Sequence, residues 1–310
     1  MNSPKELFFI VNEHSGSGKG RKIEKLVQRF QHHHAFTAEL HKTTASGHAH
    51  QLAERIAERA EQSKKQPIIV AVGGDGTLNE VISGLNRTYA HIPVGCIPTG
   101  SGNDFARSHD LPLNPEEAFE HLLAVHAPTR FDVLTYSDNQ TNEVGFAANS
   151  LGFGIDAAVI HLLNQSSRKE QFGKISYLLT ALSAFFRQQP FSVTVRKNGK
   201  EMVFPSSILV LASNNPYFGG GLKIHPQAHA EDGKLDLVIA EKLTFLELVR
   251  LIGMLLTKGN HLSHPKVHTL GSDSFSLKLH SDQFGQKDGE ELPTKKHDVT
   301  LTTFKQSFWI

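Results

Sequence analysis

The sequence has almost no cysteine: one residue, Cys96, among 310. A single thiol excludes an internal disulfide framework and any zinc site built on paired cysteines, and it suits a reducing cytosol. Charge of one sign is missing too. Lys and Arg number 32, Asp and Glu 31, for a formal net charge of +1. Nucleic-acid-binding domains carry a marked basic excess, so no nucleic-acid partner is expected. No apolar run reaches the ~18 residues that mark a membrane-spanning helix. The first residues, from Met1 to Gly16, lack a charged leader followed by a long apolar segment, so no signal peptide is expected. These absences predict a cytoplasmic chain whose membrane contact, if any, is peripheral.

What is present is ordinary for a folded protein: 39% hydrophobic and 20% charged residues, with a mean hydropathy of −0.27. That balance argues against disorder. At ~100–200 residues per domain, the length predicts two domains. The 19 histidines invite a metal reading, with His32-His33-His34 and the pairs His48/His50, His225/His229 and His261/His264. None forms HExxH and no Cys pair joins them, so solvated side chains are expected instead. For His32 to His34, a cationic helix end also suits the helix dipole.

Residues 1–130 alternate strand and helix signals. Leu7 to Val11 is a short apolar strand. Ile23, Leu26, Val27 and Phe30 recur at helical spacing, and Leu52, Ile56 and Ala60 mark a second helix. Ile68 to Val72 is a continuous apolar run, as for a strand buried on both faces. A further helical stripe follows at Leu78, Val81, Ile82 and Leu85, then a strand at Ile92–Ile97 and a helix from Pro115 to His126. This rhythm predicts an α/β domain: a parallel sheet with helices on both faces. Residues 131–310 read as a mainly antiparallel β-sandwich, whose last strand can return to the first domain. Its strands are expected at Phe131–Tyr136, Val144–Ala148, Phe191–Val195, Ser207–Ala212, Leu235–Ala240, Ser274–Leu279 and Val299–Thr303. Asn198-Gly199 and Asp232-Gly233 supply turn signals. Two helices interrupt. One carries Ile175, Leu178, Leu179, Leu182, Phe185 and Phe186 on one face, and its Phe185/Phe186 end is expected in the core. The other runs from about Thr244 to Leu256, is apolar around most of its circumference, and is expected to be buried.

The chemistry is expected in glycine-rich loops that follow strands, where helix N-termini offer N–H groups to phosphate. The first, Asn12 to Gly20, is neither a Walker A loop nor GxGxxG. Alone it reads either as a phosphate site or as an ordinary strand-to-helix turn. The second, Gly73-Gly74-Asp75-Gly76-Thr77-Leu78-Asn79-Glu80, is more specific. Its glycines admit a close ligand. A carboxylate beside phosphates is repulsive unless a cation lies between them, so Asp75 implies Mg²⁺. The segment Pro98 to Arg107 repeats the arrangement and places Asp104 beyond small residues. Two such loops can converge on one nucleotide–metal site. Asp288-Gly289-Glu290, taken alone, is a solvated turn, and Asp232-Gly233 alone is the same.

Together, Gly73–Glu80, Pro98–Arg107 and Asp288–Glu290 resemble the diacylglycerol kinase catalytic-domain family, especially its soluble bacterial lipid kinases. The likeness spans nearly the whole chain; sphingosine and ceramide kinases are more distant relatives. The GGDGT element is shared with NAD kinases, whereas Gly-Ser-Gly-Asn-Asp-Phe-Ala-Arg favours a lipid kinase. The resemblance implies two domains with ATP in a cleft, and transfer of its γ-phosphoryl to a lipid hydroxyl, diacylglycerol first among candidates, at a membrane surface. It implies that Asn12, Gly16, Gly18, Thr43, Gly73, Gly74, Asp75, Gly76, Thr77, Asn79 and Ser101 meet the nucleotide. It implies that Asp75 and Asp104 organise Mg²⁺ through water, and that Asp288 is the general base with Glu290 in reserve. It also implies a structural Mg²⁺ held by the Asp232 carboxylate and the carbonyls of His229 and Lys234. Two departures stand out: Asn12 is followed by Glu13 where the family has Pro, and Lys287 precedes Asp288 where an apolar residue is common. An NAD kinase and a catalytically silent nucleotide-binding regulator are the alternatives. A homodimer is neither specified nor excluded.

Overall fold

A computed structural model describes residues 5–165, 174–257 and 259–310. They group into two compact units, Met1–Phe131 with Lys305–Ile310, and Asp132–Phe304.

The first unit is built on four parallel strands, in the order Val94–Pro98, Ile68–Gly73, Lys5–Val11, Phe36–Lys42. Ile68–Gly73 is buried at every position, which is why its sequence is an unbroken apolar run rather than an alternating one. Phe36–Lys42 (FTAELHK) gave no strand signal in the sequence. It is the edge strand, mostly half-buried or exposed, and polar edges of this kind discourage pairing with other chains. Helices Ile23–Gln31, His48–Ser63, Asp75–Leu85, Asp104–Ser108 and Pro115–Ala124 complete the unit. The last of these starts where Pro115 occupies the first turn and the Asn114 side chain accepts from the Glu116 N–H at 2.9 Å. It packs Phe119 against Phe9 and Phe30, ring centroids 5.5 and 4.7 Å apart. Aromatic pairs of this kind add roughly 0.5–1.5 kcal/mol beyond their buried area.

Residues 305–310 finish the core of this first unit. Gln306 Nε2 donates to the Ile92 carbonyl at 2.9 Å, and Trp309 Nε1 to the Leu122 carbonyl at 3.0 Å. Phe308, fully buried, pairs with Val94 and packs against Phe105, ring centroids 4.9 Å apart and tilted by 30°.

The second unit is antiparallel throughout its described pairings. One path runs Glu290–Lys295, Gln283–Lys287, Ser150–Gly154, Lys200–Ser213, Phe191–Lys197, Phe275–Leu279, Asp298–Phe308. Leu235–Glu241 pairs with both Lys200–Ser213 and Val267–Ser272. Lys200–Ser213 carries an extra residue between Phe204 and Ser207. That bulge accommodates Pro205, which cannot donate to a ladder. Asn198 and Gly199 both have positive φ (50° and 75°), as a two-residue hairpin turn requires. The core includes Leu151, Phe153, Val193, Val210, Leu237 and Leu277.

Two expectations are corrected here. The helix Lys174–Arg187 forms, but Ile175, Leu178 and Leu179 lie outside the residues whose side chains are described. Of its expected core face, Leu182 and Phe185 pack inward, whereas Phe186 is 66% exposed. The helix Phe245–Thr257 is not buried all round either. Leu248 is buried, yet Phe245, Leu246, Val249 and Leu256 are exposed. No described helix is long and apolar enough to cross a membrane.

Candidate functional site

In the first unit, the chain leaves Lys5–Val11 toward Phe36–Lys42 on one side, then crosses to Ile68–Gly73 on the other. Such a reversal opens a crevice at the carboxyl ends of the strands, where ligands bind in open α/β sheets. The loops that follow these strands are tied together there. Asn12 Nδ2 donates to Thr77 Oγ1 at 3.4 Å, and Asn12 Oδ1 accepts from the His14 N–H at 3.1 Å. Ser15 Oγ donates to the Asn12 carbonyl at 2.8 Å and shares a hydrogen bond with Thr99 Oγ1. Gly16, Ser17 and Gly18 are all left-handed, with φ of 53°, 59° and 90°. A Cβ on Gly16 would lie 1.8 Å from the Thr99 carbonyl oxygen. Gly16 therefore admits no side chain, and a left-handed loop of this kind is suited to phosphate approach.

The Gly73–Thr77 turn and the Thr99–Asp104 loop form one body. The Gly73 carbonyl accepts from the N–H groups of Thr99 (2.8 Å) and Gly100 (3.3 Å). A Cβ on Gly100 would fall 2.5 Å from the Gly74 Cα, so the two backbones are in contact. Asp75 completes the link. Its Oδ2 accepts from the Asp104 N–H at 3.1 Å and its Oδ1 from the Phe105 N–H at 3.0 Å. Asp75 thus starts the helix Asp104–Ser108, and Asp104 itself is buried. Both Asp75 oxygens already accept N–H bonds, so a Mg²⁺ ion held by the hard oxygens of Asp75 and Asp104 would meet Asp75 through water. Among the described residues no group of three metal-ligating side chains occurs.

The other predicted contacts are placed less uniformly. Thr77 is buried against Gly73, and Gly76 lies in the first turn of the helix Asp75–Leu85. Asn79 is buried inside that helix's packing and accepts from Ser83 Oγ at 3.0 Å. Ser101 is exposed. Thr43 N–H donates to the Val11 carbonyl at 2.9 Å, which puts Thr43 at the same sheet edge. Glu80, which had no expected role, accepts from the N–H groups of Gly47 (2.8 Å) and Ala49 (3.0 Å), and so fixes the start of His48–Ser63.

In the second unit, Asp288 and Gly289 are the turn between Gln283–Lys287 and Glu290–Lys295, both with positive φ (45° and 82°). The Asp288 carboxylate folds back onto another turn. Oδ2 accepts from the Ala148 N–H at 2.6 Å, and Oδ1 from those of Asn149 and Ser150, both at 2.8 Å. Its orientation is therefore fixed by backbone. Glu290 stands opposite Lys287 at the start of its strand. In the His229–Lys234 loop, Asp232 Oδ1 accepts from the Lys234 N–H at 2.9 Å. Asp132 closes this loop: its Oδ2 accepts from the Gly233 N–H (2.8 Å) and its N–H donates to the Ala230 carbonyl (2.6 Å). The Asp232 carboxylate with the His229 and Lys234 carbonyls has the oxygen chemistry of a Mg²⁺ site, with a single charge among the donors.

The second unit also holds a cavity of about 140 Å³, a size that takes a benzene-sized apolar group. Val159, Ile208, Phe218, Leu222, Leu251 and Leu255 are among its walls, and Asp156 is the one carboxyl among its described lining residues. Asp156 is 3% exposed. Gln286 Nε2 donates to its Oδ2 at 3.1 Å, while Oδ1 finds no partner among the described residues. Burial pushes this carboxyl up to about 7, against the pull of the Gln286 hydrogen bond. Asp156 carries no role in the expectations from sequence. Its signal was a lone carboxylate in the otherwise apolar stretch Leu151–Ile160.

A pH dependence follows. The unfolded chain ionises Asp156 near its ordinary 3.8, the folded one only near 7. The folded state then binds the extra proton between those values, so this group's contribution is fully present below pH 4 and is lost as pH rises to about 7. Its loss is on the order of a few kcal/mol. Asp156→Asn is expected to gain stability relative to the parent across that window and to run parallel to it above pH 8. Denaturant unfolding of both proteins from pH 4 to 9 checks this; parallel curves throughout would mean that the carboxyl is not neutral in the fold.

Comparison with known proteins agrees with this architecture. Residues 6–136 match the diacylglycerol kinase catalytic domain, and residues 149–302 the YegS C-terminal NAD kinase beta sandwich-like domain. A diacylglycerol kinase of Staphylococcus saprophyticus is 30% identical over 72% of this chain and 70% of its own. A diacylglycerol kinase of Bacillus subtilis is 26% identical over 93% of each. The crystal structure of a diacylglycerol kinase from Bacillus anthracis superposes with a TM-score of 0.74 over 97% of this chain and 96% of that one, at 24% identity, a likeness of fold. The chain belongs to the diacylglycerol kinase catalytic-domain family. At the level of that family it is a lipid kinase, a phosphotransferase of the diacylglycerol kinase type.

Proposed function

We propose that the chain transfers the γ-phosphoryl group of ATP to the hydroxyl of diacylglycerol, acting from the cytoplasm at a membrane surface. The observation that carries this reading is the apolar cavity of the second unit, with Asp156 as the one carboxyl among its described lining residues. A cavity of that size and lining suits the end of a hydrocarbon chain beside a polar group, and its apolar walls do not suit a dinucleotide. In the first unit, the backbone of Gly16–Gly18 and Gly73–Thr77 holds the phosphates, with Asn12, Thr43, Asn79 and Ser101 around the nucleotide. Bound through water to Asp75 and Asp104, Mg²⁺ would neutralise charge on the β- and γ-phosphates.

Asp288 is the base of this reading. The acceptor oxygen forms a bond to the γ-phosphorus, the bond from that phosphorus to the bridging oxygen breaks, ADP leaves, and the hydroxyl proton passes to Asp288. Its three backbone donors keep the carboxylate in one orientation. Asp156 offers a hydrogen bond to the acceptor's polar end. The deciding experiment is a panel of lipids incubated with γ-labelled ATP and Mg²⁺, scored by which lipid gains label. Diacylglycerol is expected to. Label on NAD, or on a lipid without glycerol, would replace this reading, and its absence from every acceptor would favour the silent regulator.

A further inference from the structure

The helix Phe245–Thr257 presents two apolar faces. Leu248, Leu251, Ile252 and Leu255, at helical spacing, line the cavity. The opposite stripe is Leu246, Val249, Gly253 and Leu256. Leu246 is 78% exposed, Val249 49% and Leu256 53%. A Cβ built on Gly253 meets nothing within 4 Å, so the stripe is open along its length. Phe186 extends it, stacked on Phe245 with centroids 5.7 Å apart. Five of the eight large hydrophobic side chains exposed among the described residues belong to this one patch. A cluster of this kind, rather than scattered single residues, marks an interaction surface.

Among the described residues, the exposed charges next to the patch in sequence are basic. Arg187 follows Phe186, Arg250 follows Val249, and Lys242 precedes the helix; all three are exposed. The acidic residue of the helix, Glu247, is already committed. Lys266 Nζ donates to it at 2.8 Å, and it shares a capping box with Thr244, accepting the Thr244 N–H at 2.7 Å. The Lys266 hydrogen bond holds its carboxyl down to about 2.

We infer that the Phe186–Phe245–Leu246–Val249–Leu256 surface docks the protein onto an anionic lipid bilayer. Exposed apolar side chains with basic neighbours are the composition of an interfacial helix that lies in the headgroup region. The bilayer is favoured over a second copy of the chain because the other face of the same helix walls the apolar cavity. A hydrocarbon chain leaving the bilayer meets that cavity one helix away. This inference rests on the lipid-kinase reading for its purpose, but its test does not use turnover.

The test is co-sedimentation with vesicles of phosphatidylcholine and phosphatidylglycerol, against vesicles of phosphatidylcholine alone. The parent is expected to pellet with the mixed vesicles and to be released by salt. The triple variant Leu246→Ser, Val249→Ser, Leu256→Ser should lose at least about tenfold in partitioning, since the burial of one such side chain is worth about that much. Leu246→Trp should bind more tightly. Arg187→Gln with Arg250→Gln should lower binding to the mixed vesicles toward that on phosphatidylcholine alone. Equal vesicle binding by parent and triple variant would overturn the inference. So would a parent that stays in the supernatant, or one that sediments as a dimer while the triple variant is monomeric. Turnover of γ-labelled ATP with a short-chain diacylglycerol dispersed as monomers should be the same in parent and triple variant. Failure of both proteins in that assay would count against the kinase reading and leave the vesicle result standing.

Discussion

Asp75→Ala is expected to fold and to transfer no measurable phosphoryl group from Mg·ATP. Two effects combine. The carboxylate that would meet the cation is gone, and so are the hydrogen bonds to the Asp104 and Phe105 N–H groups that join the two loops. The second loss alone should lower stability by about 1–2 kcal/mol, the usual cost of an N-cap. Asp75→Asn separates the effects. Its amide oxygen still accepts one of the two N–H bonds, while the charge is absent. Its kcat is expected to fall at least about 10²-fold, the scale on which removal of transition-state charge stabilisation acts. Steady-state kinetics over a Mg²⁺ titration, with thermal unfolding alongside, checks both variants. An Asp75→Asn protein with parental turnover would leave Asp75 a capping residue and nothing more.

Asp288→Asn is expected to lower kcat by ~10²–10⁴-fold, equivalent to about 3–5 kcal/mol of transition-state stabilisation, with nucleotide affinity retained. The structure adds a second expected effect. The carboxylate accepts three backbone N–H bonds, and an amide must turn its NH₂ group toward one or two of those donors. Stability should therefore also fall, by about 1–3 kcal/mol. Nucleotide binding, unfolding and kcat are measured separately for this reason. Glu290→Gln should cost less in kcat and little in stability. An Asp288→Asn protein that unfolds earlier yet turns over normally would reduce Asp288 to a clamp on the Ala148–Ser150 turn. If Glu290→Gln is the dead variant instead, the base is Glu290.

The parallel half of the fold was legible because burial on both faces leaves a plain mark, as in Ile68–Gly73. The Asn198-Gly199 hairpin was legible because few residue pairs adopt two positive φ values. Strands of mixed polarity were not. Phe36–Lys42 is an edge, and Gln283–Lys287 carries Gln, Gly and Lys in sheet positions, so neither shows a period. At the candidate site, the glycine loops announced themselves but their connections did not. Asp75 caps a helix whose N–H groups come 29 and 30 residues later, and Asp132 closes a loop whose Gly233 is 101 residues away. Local pattern carries no record of such pairings. The apolar helix Phe245–Thr257 was ambiguous for a related reason: the same composition serves a face in the core and a face turned outward, and only tertiary packing tells them apart.

The return of residues 305–310 to the first unit bears on how the chain folds. Trp309 and its acceptor Leu122 are 187 residues apart, and Gln306 and Ile92 are 214 apart. A ribosome that has released the first unit's leading residues still lacks the strand end that covers Val94 and the indole that meets Leu122. That unit must wait, incomplete, while the whole second unit is synthesised, and its last packing step has a high contact order. During this interval the sheet edge at Val94 lacks its partner Phe308, the kind of surface that chaperones attend to in nascent chains.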